Sequence, residues 1–322
     1  MDMIYTNKNH EDVGVLLDYS FDLEFGKDCE NNFELTIDSS THCCEDGCFV
    51  YMEGTEYGGI IDAMKVVTKN DSLTYIGRTW HGILASKVIE PDVGQDYLVL
   101  SGEANTVIGT LLDRIGLSGL FVASADDSGL TIRNYKMNRY VDAYTGIRKM
   151  LATESGKLHF TVKHGMVILS AVPLVDYSQN EQFDTDQVDL EIEKTYRHVN
   201  HLICLGSGDL AQRQVIHLYA DEHGNISQIQ SLKGIDEVTA VYDYANVESL
   251  EELEAEGIEK LKEYATGGCV KLSFDAESNV YDIGDIVGAK DIITGITVTT
   301  QISSKIVTIN KGQISIEYKV GE

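Results

Sequence analysis

Four short β-rich runs close the chain and restrict its fold more than any other stretch. They read Tyr281-Asp282-Ile283-Gly284-Asp285-Ile286-Val287-Gly288-Ala289, then Gly295-Ile296-Thr297-Val298-Thr299, Lys305-Ile306-Val307-Thr308-Ile309 and Gln313-Ile314-Ser315-Ile316-Glu317-Tyr318. β-Branched residues separated by Gly, Asp, Asn and Lys-Gly signals predict a small antiparallel meander or barrel. No catalytic motif elsewhere competes with this signal.

At 322 residues the chain is long enough for two or three domains with their own cores. With 43% hydrophobic and 24% charged residues it reads as globular rather than disordered. No apolar run approaches the roughly 18–20 residues that span a bilayer. The opening Met1-Asp2-Met3-Ile4 lacks a basic segment followed by an apolar one, so no secretory signal is expected. Two prolines against 29 glycines suit hairpins with tight turns. A net charge of −27 repels nucleic-acid phosphates and argues against gripping DNA. That charge fits plain solubility, and it equally fits a wall past which DNA slides without adhering.

The six cysteines do not form a disulfide framework at this length. Cys204 and Cys269 stand alone and read as buried thiols. His42-Cys43-Cys44 with Cys48 is the one cluster. Without a second Cys-x-x-Cys or His-x-x-x-His it reads as a reduced strand-to-loop segment rather than a zinc site.

Pro91 and Pro173 fall where the composition changes and serve as boundaries. Residues 1–95 read as β: Phe21, Leu23 and Phe25 alternate with polar residues, as do Phe33, Leu35 and Ile37. Gly58-Gly59 leads into a strand through Val67, and a polar turn returns it through Leu73–Gly77. Trp80, the single tryptophan, reads as a core anchor. Residues 96–175 change character. Val107, Ile108, Leu111, Leu112 and Ile115 share one helical face ended by Gly116, and a second helix is predicted over about 141–153. A hairpin turning at His164-Gly165 follows, which makes a small α+β module. An acidic passage over 176–193 contains Asp184-x-Asp186 but lacks the glycine and terminal glutamate of a calcium loop, and reads as a solvated connection. β character returns from Val199. Ser249 with Glu252 forms a capping box opening a helix to about 266, with Gly267-Gly268 at its end.

Signals for chemistry are weak. No Gly-x-x-x-x-Gly-Lys-Ser/Thr loop and no His-Glu-x-x-His helix occurs. Gly206-Ser207-Gly208-Asp209 is a loop rather than a nucleophile elbow. His198, His201, His217 and His223 fall in one β region and read as ordinary polar or core histidines rather than metal ligands. The 52 acidic residues offer many carboxylate pairs with none singled out.

Three stretches resemble the tail-hub (baseplate-hub) proteins of siphophages and prophages. The first is Asp12-Val13-Gly14-Val15-Leu16-Leu17-Asp18-Tyr19 with Phe21–Gly26 and Asn32–Leu35. The second, the most specific, runs from Gly54-Thr55-Glu56-Tyr57 through Gly58, Gly59, Gly77, Arg78 and Trp80 to Pro91. The third contains Tyr281, Asp282, Gly284, Asp285, Gly288 and Gly295 and closes at Ile316–Gly321. Together they anchor both ends of the chain.

The resemblance implies a mainly β fold with an α+β insert, in which barrel domains at 1–95 and 176–322 flank a mixed domain at 96–175. It further implies a homotrimer whose six barrels form a ring beneath a sixfold tail tube. The expected partners are a distal tail protein or tube ring above, the tape-measure protein, and a tip, fibre or receptor-binding protein below. DNA would pass through without specific binding. The expected location is the virion tail tip, assembled in the bacterial host cytoplasm. No cofactor, metal, catalytic residue or membrane insertion is expected. Some relatives continue into a cell-wall hydrolase or fibre, whereas this sequence ends at Glu322 after the last β run, which favours a purely structural hub. The alternatives are a tail-associated lysin with a dispersed acidic site and a host-receptor-binding module.

Overall fold

Alternating apolar residues along the first strands fold into sheets with one buried face, and the C-terminal strands complete that core. The computed structural model describes residues 2–69, 71–178, 182–184, 189–192, 197–245, 247, 249–265, 270–273, 281–290, 294–295 and 297–321. The chain forms two compact units: Met1–Leu190 with Leu272–Gly321, and Glu191–Lys271. Strand predominates in the first, and the second combines a small sheet with one long helix.

The principal sheet of the first unit has eleven strands. Its order is Gln182–Asp184, Ile286–Lys290, Thr297–Asn310, Ser20–Gly26, Asn32–Asp38, Ser72–Thr79, Gly58–Val67, Phe49–Met52, Met3–Thr6 and Asp12–Leu16, with Gln313–Val320 also on Thr297–Asn310. Phe21 lies opposite Leu35 and Leu23 opposite Phe33, while Ile309 and Val307 meet Phe21 and Leu23 from the other side. All six are buried in one cluster. Residues 297–299 and the predicted run at 305–309 belong to one long strand, Thr297–Asn310, and its next turn is Lys311-Gly312. Both turn residues have positive φ, 50° and 80°, as a two-residue hairpin requires. Among the described residues no sheet closes on itself into a barrel.

The mixed region lies in the same unit. Helix Ala104–Arg114 is capped by Glu103, whose carboxylate accepts from the N–H groups of Asn105 and Thr106. Helix Ala143–Ala152 is capped by Asp142, which accepts from Thr145 N–H. Their apolar faces pack with the sheet formed by Phe121–Ala123, Met166–Pro173 and Gly156–Lys163. The helix Trp80–Ala85 joins this cluster. Trp80 is fully buried edge-on to Phe49 at 5.5 Å, as its reading as a core anchor predicts.

In the second unit four strands run in the order Ile226–Ser227, Val215–Ala220, His201–Leu205 and Thr239–Asp243. Helix Leu250–Ala265 covers one face with Leu253 and Leu261, against Leu202, Cys204 and Leu218. Ser249 caps it by accepting from Glu252 N–H at 3.1 Å. Gly206–Asp209 is a loop. Cys269, Gly267-Gly268 and the Asp186 end of Asp184-x-Asp186 lie outside the described residues.

Gly59 and Gly77 show why this fold needs glycine. A Cβ at Gly77 would lie 1.9 Å from the Ile60 carbonyl oxygen, and one at Gly59 would lie 2.0 Å from that of Arg78. The ring of Phe33 occupies the space above both. Gly295 is different: its φ is +68° and nothing lies within 4 Å of a Cβ there. Gly77→Val is expected to lower stability by about 3 kcal/mol through overpacking. Gly295→Ala should cost only the left-handed backbone penalty of about 1 kcal/mol. Urea denaturation of the two variants checks the ranking.

Candidate functional site

Period-two alternation places Lys305 on the same face of its strand as Val307 and Ile309, pointing into the core. An ammonium group there needs anions within reach, because burying an unpaired charge is prohibitive. Lys305 is 0% exposed, and its Nζ lies 2.6 Å from Glu56 Oε1 and 3.5 Å from Asp282 Oδ1. Its ammonium also sits 5.8 Å from the centre of the Tyr318 ring.

Asp282 extends the cluster. Its Oδ2 meets Lys157 Nζ at 3.0 Å and His159 Nδ1 at 3.3 Å. Lys157 reaches on to Asp285 Oδ1 at 2.6 Å. The fully enclosed Asp285 carboxylate also accepts from the N–H groups of Val175 at 3.0 Å and Asp282 at 2.9 Å. On the far side Glu56 Oε2 lies 3.7 Å from His81 Nε2. His81 is stacked on Phe25 at 4.4 Å and packed against Phe160 at 3.9 Å. Five separated segments therefore meet at one site: the turn before Gly58, the Trp80–Ala85 helix, the Gly156–Lys163 strand, the loop before Ile286, and the Thr297–Asn310 strand.

Burial alone would raise the Asp282 pKa. The His159 hydrogen bond and the Lys305 and Lys157 charges outweigh it and hold the carboxyl well below the usual carboxylate range. Burial likewise works against the Lys305 charge, yet Glu56 and Asp282 raise its pKa above the ordinary lysine value. The hydrogen bond to Asp282 raises His159, while burial drives His81 well below the ordinary histidine value and keeps it neutral.

The positions singled out by sequence fall into two groups around this core. Asp282 and Asp285 are part of it. Tyr281 N–H donates to the Tyr318 hydroxyl at 3.1 Å, and Gly284 passes close to Lys157. Gly288 packs against Ser178. Gly58, Gly59, Gly77 and Trp80 cluster around Phe33 and Tyr51 next to the Glu56 turn. Arg78 instead makes a two-pronged pair with Asp62, at 2.7 and 2.8 Å. Around Pro91, Arg114 donates to the Glu90 carbonyl and to Asp92. Gly295 stands in an open turn.

Lys157, His159, His81 and Lys305 escaped the sequence reading. For Lys305 a signal was present, since it continues the Val307/Ile309 face. Lys157 carried none, because its strand buries the alternate residues Leu158, Phe160 and Val162.

Other candidates resolve as polar contacts. His201 Nε2 meets His217 Nδ1 at 2.9 Å, and His201 Nδ1 meets Glu237 at 2.7 Å. The described residues contain no group of three or more His, Cys, Asp or Glu side chains placed to hold a metal ion. Burial pushes the Cys204 thiol up to about 11. No helix among the described residues is long and apolar enough to cross a membrane.

No protein-family model matches the sequence, and no curated protein matches it. The fold, in contrast, is shared end to end with solved tail proteins. The 43 kDa tail protein of prophage MuSo2 from Shewanella oneidensis superposes with a TM-score of 0.59 at 9% identity, over 100% of this chain and 98% of that one. The tail protein from Neisseria meningitidis MC58 gives 0.55 at 11% identity, over 100% and 96%. Prophage tail protein gp18 from Listeria monocytogenes EGD-e gives 0.55 at 12% identity, over 99% and 94%. The chain has the fold of phage and prophage tail proteins.

Two outcomes are expected. Lys305→Met leaves Glu56 and Asp282 without their shared cation and should cost about 3–5 kcal/mol. Adding Glu56→Gln should restore part of that loss, as a double-mutant cycle in urea would show. The pH dependence has a defined sign. The unfolded chain protonates His81 below about pH 6.5, and the folded chain resists this. Its contribution is therefore present above that pH and lost as pH falls. Asp282, with a depressed folded pKa, adds a further loss below about pH 4. His159 acts oppositely: its contribution is present below about pH 6.5 and lost as pH rises through its raised folded pKa. His81→Phe should flatten the acid-side fall between pH 6.5 and 4 in thermal melts, and Asp282→Asn the fall below about pH 4.

Proposed function

We propose that this chain is a structural tail-hub protein that forms a homotrimeric, pseudo-sixfold ring at the distal end of a tail tube. The observation that carries the reading is the shared fold over 94–98% of three tail proteins' own length. In this reading the segments 1–95 and 176–322 supply two barrel-like walls per protomer, with 96–175 between them. Three protomers then present six walls to a sixfold tube and threefold symmetry to the tip. A distal tail protein and the tape-measure protein lie above, and a tip, fibre or receptor-binding protein lies below. The assembled location is the virion tail tip, reached from the host cytoplasm.

The ionic core supports a structural role. Its charged groups face inward and tie segments together, with Lys305 and Asp285 enclosed. The net charge of −27 suits a lumen through which DNA passes without adhering. Replacing lumen-facing acids with lysine is expected to slow DNA ejection, and unchanged ejection would leave the charge as a solubility feature.

Native mass measurement with negative-stain imaging tests the reading. Three copies in a ring with sixfold-like features are expected, together with inertness toward peptidoglycan. A stable monomer would overturn it. Peptidoglycan clearing abolished by a single Asp or Glu substitution would replace it with the lysin reading.

A further inference from the structure

Adjacent side chains in an extended strand point to opposite faces. Cys43 and Cys44 instead lie in the loop between the Asn32–Asp38 and Phe49–Met52 strands, where their Sγ atoms approach to 3.6 Å. Facing this loop is Tyr75, a buried residue of the Ser72–Thr79 strand. Its hydroxyl accepts from the N–H groups of Cys43 at 3.2 Å and Cys44 at 3.1 Å, and lies 2.8 Å from His42 Nδ1. With two donors already directed at the oxygen, the hydroxyl proton goes to His42 Nδ1. Three consecutive residues are thus fixed around one hydroxyl group, which holds the loop that carries both thiols. Cys44 is fully buried and Cys43 is half-buried, so one thiol faces a reagent and the other stands behind it. The remaining nearby thiol is engaged elsewhere: Cys48 Sγ accepts from Glu45 N–H at 3.4 Å.

We propose that Cys43 and Cys44 form a thiol-exchange site that a low-molecular-weight disulfide converts reversibly into a vicinal disulfide. Cys43, after losing its proton to solvent, attacks one sulfur of the small disulfide. A mixed disulfide forms on Cys43, and the first small thiolate leaves and takes up a proton. Cys44, on losing its proton to base, attacks Cys43 Sγ as the thiolate and closes the ring, and the second small thiolate leaves and takes up a proton. Two protein thiols are oxidised by two electrons, and one small disulfide is reduced to two thiols. The 3.6 Å contact makes the second step intramolecular and favours ring closure over a lasting adduct. Neighbouring Cα atoms are about 3.8 Å apart, closer than in ordinary disulfides, so the ring is strained and reopens with reductant. Burial raises both thiol pKa values, which makes the exchange base-promoted. The site stands independently of the tail reading.

The test incubates the full-length protein with oxidised glutathione at pH 7 and at pH 8, quenches with acid, alkylates free thiols and maps peptides by mass spectrometry. The peptide carrying Cys43 and Cys44 should lose two hydrogens, faster at the higher pH, while Cys29, Cys48 and Cys204 remain alkylated. Dithiothreitol should reverse the change. Cys44→Ser should stop at a glutathione adduct on Cys43, and Cys43→Ser should yield neither adduct nor ring, with circular dichroism confirming that both variants fold. The wild-type map decides alone if a variant does not fold. An unmodified pair, a persistent adduct or a Cys44–Cys48 bridge in the wild-type protein would overturn the proposal.

Discussion

A lysine with no solvent exposure, held between Glu56 and Asp282, is the constraint on which the first unit depends. Removing an ammonium from water costs several kcal/mol even after relaxation. The Thr297–Asn310 strand can enter the core only in the register that delivers Lys305 to those two carboxylates. A slip of one residue would turn Lys305 outward and take Val307 and Ile309 with it. Removing one partner of such a cluster leaves an uncompensated buried charge, so the cluster penalises any pairing that separates Lys305 from its carboxylates. It selects one pairing of the chain's two ends among those the apolar pattern would allow.

That pairing has a topological consequence. The first unit is discontinuous: residues 272–321 return to strands near the N-terminus after the second unit has been inserted. Asp285 and Lys157 are 128 residues apart, and Lys305 and Glu56 are 249 apart. Contacts of such separation carry loop-closure entropy that the packed state must offset. The charged groups and the aromatic rings around His81 are placed to repay it, because they gain most once water has left the site.

How much could be read in advance depended on the range of each signal. Helices Ala104–Arg114 and Ala143–Ala152, the Ser249 cap with Glu252, and the Lys311-Gly312 hairpin all follow from neighbours within a few residues. Trp80 in the core and Cys204 as a buried thiol were legible from residue type alone. Asp282 and Asp285 lay within a stretch already singled out, though nothing local marked them as members of an ion cluster. Lys157 was silent, since its strand read as an ordinary hairpin arm. The breaks that suggested four terminal runs proved to be three strands, because pairing with Ile286–Lys290 up to Gln301, with Val320 at Ile302 and with Ser20–Gly26 from Ser304 carries one strand across the gap.

The sequence by itself determined the helices Ala104–Arg114, Ala143–Ala152 and Leu250–Ala265, the alternating strands around Phe21 and Phe33 with several of their turns, and that the molecule is strongly acidic. These are local or additive properties: period, cap, turn chemistry and charge. Only the tertiary structure decided that the last strands join the first ones in one sheet, and that Glu56, Lys157, Asp282, Asp285 and Lys305 share one site. Such a site is a sum over distant partners, each of which is an unremarkable charged residue until its counterion arrives. The reason is electrostatic, for a charge is costly in the core alone and tolerable in company, and a linear sequence does not state the company.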